Sequence, residues 1–88
     1  MDVRRVIGAN VRKYRLQADM TQARVAEIMG VDRAYISALE RGERNPTAIS
    51  LWQTAEALGV HVTALLDDSV TLENDENLPR KRARKQRQ

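Results

Sequence analysis

Cysteine and phenylalanine are both absent from the 88 residues, and the aromatics stop at Tyr14, Tyr35 and Trp52. Without cysteine there is no disulfide scaffold and no thiolate-bound zinc site. With so few rings, any core must be mostly aliphatic. Apolar runs near the roughly 20 residues of a membrane helix are missing too. The opening MDVRRVIGANVR lacks the apolar stretch of a secretory leader. A cytoplasmic chain with no membrane partner is the expectation. One histidine, His61, gives too few ligands for a metal, so no metal and no cofactor are expected. No nucleophile–base pair, paired-carboxylate constellation or phosphate loop is visible, and an enzyme is the poorest reading. The length argues for one domain, of a size that stabilises itself only marginally and would gain from self-association.

What is present is charge, unevenly spread. Residues 1–66 carry 9 basic and 7 acidic side chains. Residues 67–77 carry five acids (Asp67, Asp68, Glu73, Asp75, Glu76) and no base. Residues 78–88 carry six bases and no acid. The division expected is a folded body over 1–66, an acidic linker over 67–77 and a basic, disordered tail over 78–88. Within the linker, Val70–Leu72 has a second reading, as a short strand or a segment packed on a partner. The tail has three: sequence-independent phosphate binding, folding back on the acidic linker, or an inert solvated end.

The body reads as helical throughout. Val3, Ile7, Val11, Tyr14 and Ala18 fall on one face of a first helix. Thr21 caps a second, with Val25, Ala26 and Met29 inward, and Gly30 ends it. Asp32 caps a third, with Ile36 and Leu39 one turn apart, and Gly42 ends that. After the loop Gly42–Pro46, Thr47 caps a fourth helix with Ala48, Leu51, Trp52, Ala55 and Leu58 along one face. Trp52 is read as core, with a dimer contact as the rival. Gly59 breaks this helix, and a short fifth covers about Val62 to Leu66. The fold class is all-α, a compact five-helix bundle.

Only Gly30 and Val31 separate the second and third helices, the tight joint of a helix-turn-helix. Ala26 is small where the two helices would cross. Val25, Met29, Val31, Ile36 and Leu39 are read as the shared core. The run TQARVAEIMGVDRAYISALERGERNPT, followed by SLWQTAEALGV, resembles the Xre family of Cro/repressor-type helix-turn-helix proteins over about residues 3–66. That resemblance implies a third helix in the DNA major groove. It implies base contacts from Arg33, Ala34, Ser37 and Ala38. Backbone contacts would come from Gln22, Tyr35, Arg41, Arg44 and Asn45; Arg24 joins them as a departure, a base where the family usually has the acid of a capping box. It also pairs Arg15 with Glu40 as a structural ion pair joining the first and third helices; two surface charges of little weight are the alternative reading.

Residue chemistry qualifies each role. Arg33 can span guanine O6 and N7, whereas Ala34 and Ala38 offer only thymine-methyl contact, and Ser37 can bond DNA or its own helix. Arg24 and Arg33 lie in first helical turns, where the macrodipole disfavours cations. A facing phosphate or guanine edge would explain them, and so would plain solvation. The Tyr35 hydroxyl is read either on a phosphate or as part of an exposed aromatic shielding the helix.

Ile49, Val60, Val62, Leu65 and Leu66 form the candidate dimer seam. A two-fold dimer would set its recognition helices about 34 Å apart and read a pseudo-palindromic operator. The function expected is a dimeric, autoregulatory, bacterial or phage-encoded transcriptional regulator near the nucleoid. Controller proteins of restriction–modification systems are among the small members of this family. The alternative is an antitoxin whose tail binds a toxin or other partner protein. A third reading keeps the fold for protein or RNA contacts alone.

Overall fold

The computed structural model describes residues 2–70 and Leu72. Four α-helices follow one another: α1 (Val3–Gln17), α2 (Gln22–Met29), α3 (Arg33–Glu40) and α4 (Ala48–Leu58). A 3₁₀ segment, Val62–Leu66, comes last, and no strand occurs among the described residues. The all-α class stands, and the fifth helix is corrected to 3₁₀. The segment opens with the tighter three-residue bond, Ala64 N–H to the His61 carbonyl at 2.9 Å. Val70 closes a turn from Asp67, where a strand was one reading. The basic tail over 78–88 and most of the acidic linker lie outside the described residues.

Three of the four described α-helices start where a short polar side chain takes an orphan amide. The Asp2 carboxylate accepts from Arg4 N–H, Thr21 Oγ1 from Arg24 N–H and Thr47 Oγ1 from Ser50 N–H, each at 3.0 Å. Asp32 holds the extended cap backbone of α3, yet its side chain makes no capping bond, a correction to its expected role. Gly30 takes φ +72°, which lets Val31 N–H reach back to the Ala26 carbonyl at 3.0 Å and close α2. That left-handed residue is what turns the chain sharply into α3.

The core is aliphatic: Ile7, Val11, Val25, Ala26, Ile36, Leu39, Ala55, Leu58 and Leu65 are buried. Gly8 is buried with them because a Cβ there would run into the Leu39 and Glu40 carbonyl oxygens, so α1 crosses directly over the end of α3. Asn10, fully buried, donates through Nδ2 to the carbonyls of Leu65 (3.0 Å) and Asp67 (2.9 Å) and pins the 3₁₀ segment to α1. Thr54, also fully buried, satisfies its hydroxyl on the Ser50 carbonyl at 2.8 Å.

Several expected core positions are corrected. Val3 is 54% exposed, and Ala18 caps the end of α1 in solvent. Val31 keeps 37% of its surface because it sits where the chain reverses after Gly30. Trp52 is 57% exposed. The buried row of α4 runs through Thr54, Ala55 and Leu58, with Leu51 half-buried. Trp52 lies about 100° further round the helix from Leu51 and shares its face with Ile49 and Glu56.

Candidate nucleic-acid interface

Beneath the α2–α3 joint lies a buried polar network. Arg15, near the end of α1, donates Nε to Glu40 Oε2 at 2.6 Å and Nη2 to Glu40 Oε1 at 3.0 Å. Its third arm, Nη1, reaches the Met20 carbonyl at 2.9 Å. The two side chains are only 8% and 4% exposed. A carboxylate at the last residue of α3 faces the negative end of that helix dipole, so it needs this cation. Gln22, the first residue of α2, donates Nε2 to the same Glu40 Oε1 at 3.0 Å. One buried carboxylate therefore anchors α1, α2 and α3 together at the mouth of the joint.

Above the network, α3 is two-faced. Ile36 and Leu39 point into the core. Arg33 and Ala34 are exposed, while Ser37 and Ala38 are half-buried. Among the described residues no hydrogen bond or ion pair holds Arg33. Its guanidinium extends from the first turn of α3, where a cation gains nothing from the helix itself. Arg24, in the first turn of α2, is exposed and reaches Glu27 at 2.8 Å.

The end of α3 and the loop after it carry three more of the expected contacts. Arg41 grips Glu43 with Nε and Nη2, at 3.1 and 3.0 Å, and Ser37 Oγ with Nη1. The hydrogen-bonding guanidinium holds the Glu43 carboxyl below its ordinary value. Ser37 and Arg41 are thus tied to each other on this surface. Arg44 and Asn45 are exposed. The Arg44 guanidinium lies over the Tyr35 ring, 5.0 Å from its centre. Tyr35 itself is half-buried, and its hydroxyl shares a 2.9 Å hydrogen bond with Ser50 Oγ on α4. Neither sequence reading of Tyr35, a phosphate contact or an exposed shield, anticipated this brace between α3 and α4.

The structure thus gathers Gln22, Arg33, Ala34, Tyr35, Arg41 and Arg44 around the joint and α3. Sequence reasoning missed Gly8, Asn10 and Ser50. Asn10 left a signal: a neutral amide one turn beyond Ile7, on an otherwise apolar helix face. Ser50 left none, since its partner Tyr35 is 15 residues away.

A second surface is apolar. Ile49 (69% exposed), Trp52 and Leu66 (46% exposed) stand out from α4 and the 3₁₀ segment. Between those elements Trp52, Ala55, Glu56, Val60, His61 and Val62 line a groove of about 170 Å³. Val60 and Val62 are half-buried. Leu65 is corrected: with no exposed surface it belongs to the core and has nothing to offer a partner. Among the described residues, no three histidine, cysteine or carboxylate side chains cluster closely enough to hold a metal. Nor is any described helix long and apolar enough to cross a membrane.

Comparison with known proteins points one way. A family model described as helix-turn-helix, HTH_3, matches residues 11–65. The chain is 45% identical over 60 residues to the HTH-type transcriptional regulator y4dJ of Sinorhizobium fredii, covering 68% of this chain and 78% of that one. It is 42% identical over 66 residues to the control protein C.SmaI of Serratia marcescens, covering 75% and 79% respectively. Among solved structures it resembles the restriction-modification controller protein C.Esp1396I, a tetramer in complex with its natural 35-base-pair operator. The TM-score is 0.68 at 31% identity, over 77% of this chain and 90% of that one.

Proposed function

This chain belongs to the helix-turn-helix family, Xre type, and from that premise we propose that it is a sequence-specific DNA-binding transcriptional regulator. Its third helix enters the major groove, and it binds a pseudo-palindromic operator as a homodimer, upstream of its own gene. It acts by occupancy and not by catalysis, in the bacterial cytoplasm beside the DNA. The observation that carries this reading is the two-faced α3: Arg33 and Ala34 exposed, with Ile36, Leu39 and the Arg15–Glu40 pair buried directly behind them. A helix so firmly backed presents its outer face in a fixed orientation, which base readout requires. C.Esp1396I, a controller of similar sequence and fold, is solved on its own operator and supports the reading.

In the proposed roles, Arg33 takes the guanine edge, and Ala34 and Ala38 meet thymine methyls. Gln22, Arg24, Arg44 and Asn45 face phosphates, with Ser37 and Arg41 beside them as a linked pair. The dimer seam is the apolar face of Ile49, Trp52, Val60, Val62 and Leu66. Residues 1–66 form the DNA-binding unit, and the basic residues of 78–88 add affinity without sequence preference. The antitoxin reading is not favoured, because the relatives reported above are regulators and controllers.

Fluorescence anisotropy on the duplex upstream of the chain's own gene, beside a scrambled duplex, tests the proposal. Binding about 1,000-fold tighter to the native duplex is expected. Equal, weak and steeply salt-dependent binding to both would overturn it.

A further inference from the structure

Arg44 is exposed in the loop after α3, where a flexible cation would ordinarily sample many rotamers. Two features of this chain bear on it. The neighbouring Glu43 bonds Arg41 through both oxygens, and among the described residues no hydrogen bond or ion pair joins it to Arg44. The Tyr35 ring then lies 5.0 Å beneath the Arg44 guanidinium carbon. That ring is itself fixed, because Tyr35 is half-buried and its hydroxyl is bonded to Ser50 in the first turn of α4. A guanidinium that lies flat on a ring gives up only its face to it. Its N–H donors lie in the plane, at the edge, and stay available for a bidentate phosphate contact.

We propose that Tyr35 is a positioning residue whose ring holds the Arg44 guanidinium, edge outward, as a phosphate clamp beside the recognition helix. This rests on the DNA-binding reading above and extends it to a residue acting through another. A preset clamp does not lose side-chain freedom when DNA arrives, so the ring contributes affinity without touching DNA.

The test measures affinity and salt slope on the chain's own upstream duplex, with thermal unfolding alongside. Tyr35→Leu is expected to weaken binding about two- to fivefold, the size of an exposed cation–π contact. In an Arg44→Ala background the same change should have no further effect. Tyr35→Phe and Ser50→Ala keep the ring beneath the guanidinium and remove only the brace on the Tyr35 hydroxyl, so each should weaken binding less than Tyr35→Leu does. Arg44→Ala should lower the salt slope by about one ion, as loss of one phosphate contact does. If Tyr35→Leu does not fold, Arg44→Lys carries the test. It keeps the charge without the stacked plane, and it should still weaken binding about two- to fivefold. A Tyr35→Leu loss that persists without Arg44 would overturn the proposal, as would a Tyr35→Phe loss of equal size or an Arg44→Lys variant that binds like wild type. If the wild-type chain does not prefer its own duplex, it is the DNA reading that has failed, and the wild-type arm alone reveals it.

Discussion

The α2–α3 joint and the α4–3₁₀ face are both exposed, and they are exposed in opposite ways. At the joint, charged side chains stand outward over a buried polar anchor in which Arg15 and Gln22 donate to Glu40 and Arg15 also donates to the Met20 carbonyl. At the other face, Ile49, Trp52 and Leu66 stand outward over a plain aliphatic core. The first surface costs little in water and suits a charged, hydrated partner. The second leaves apolar area in water, which a second copy of the chain would remove. One small domain thus carries its charged outer surface and its apolar one on different elements.

The largest expected effect lies beneath the joint. Arg15→Ala leaves the Glu40 carboxylate buried and uncompensated, which should cost about 3–5 kcal/mol in chemical denaturation. For a domain with roughly 5–15 kcal/mol in total, that is near unfolding. Replacing both partners, Arg15→Met with Glu40→Leu, should recover most of the loss. If Arg15→Ala costs under about 1 kcal/mol, the pair behaves as a surface bridge and the anchor account fails.

The second effect belongs to the apolar face. Trp52→Glu should shift the chain toward monomer in sedimentation equilibrium with little change in unfolding, because the side chain is already more than half exposed. A dimer unaffected by that substitution would place the seam elsewhere. Next comes the cap of α2. Thr21→Ala removes the oxygen that holds the Arg24 amide and should cost about 1 kcal/mol in thermal unfolding.

The smallest effect is pH-linked. Asp2 titrates below its ordinary value of 3.8, first because the Arg4 side chain donates to it and then because the Arg4 amide does. A lowered carboxyl stabilises the fold above the unfolded-state value, and that contribution disappears as pH falls through the lower folded-state value. Stability should therefore decline below about pH 4, and Asp2→Asn should flatten that limb in a melting series from pH 6 to pH 2. An identical acid limb in the variant would exclude the Asp2 cap from it.

Much of this was legible in the sequence because local chemistry set it. Thr21 and Thr47 cap where a hydroxyl precedes an apolar periodic run, and Gly30 turns where only a glycine sits easily at positive φ. The joint, with Ala26 small at the crossing, follows from spacing. What was not legible depends on rotation about a helix or on distant partners. Leu51 and Trp52 are adjacent and both apolar, and only the packing of α4 decides which one faces inward. Leu65 and Leu66 pose the same choice, settled by the bonds from Asn10 that draw the 3₁₀ segment onto α1. Asp32 has the residue type and backbone of a cap without the bond, so composition overstated it. At the interface, Arg33 was readable as an outward cation. The links from Gln22 to Glu40 and Tyr35 to Ser50 were not, because each depends on where two elements meet; Ser37 to Arg41 is a pair four residues apart at the end of α3, a local spacing that went unused.

The most direct test of the central claim is the ratio of affinities for the chain's own upstream duplex and a scrambled one, measured for wild type and Arg33→Ala at one salt concentration. If the exposed face of α3 reads bases, Arg33→Ala should lower the ratio by about 1–3 kcal/mol, roughly 5- to 150-fold. Binding to the scrambled duplex should barely change. An unchanged ratio, with both affinities falling together, would mean that Arg33 meets only the phosphate backbone and that specificity does not reside in this helix face.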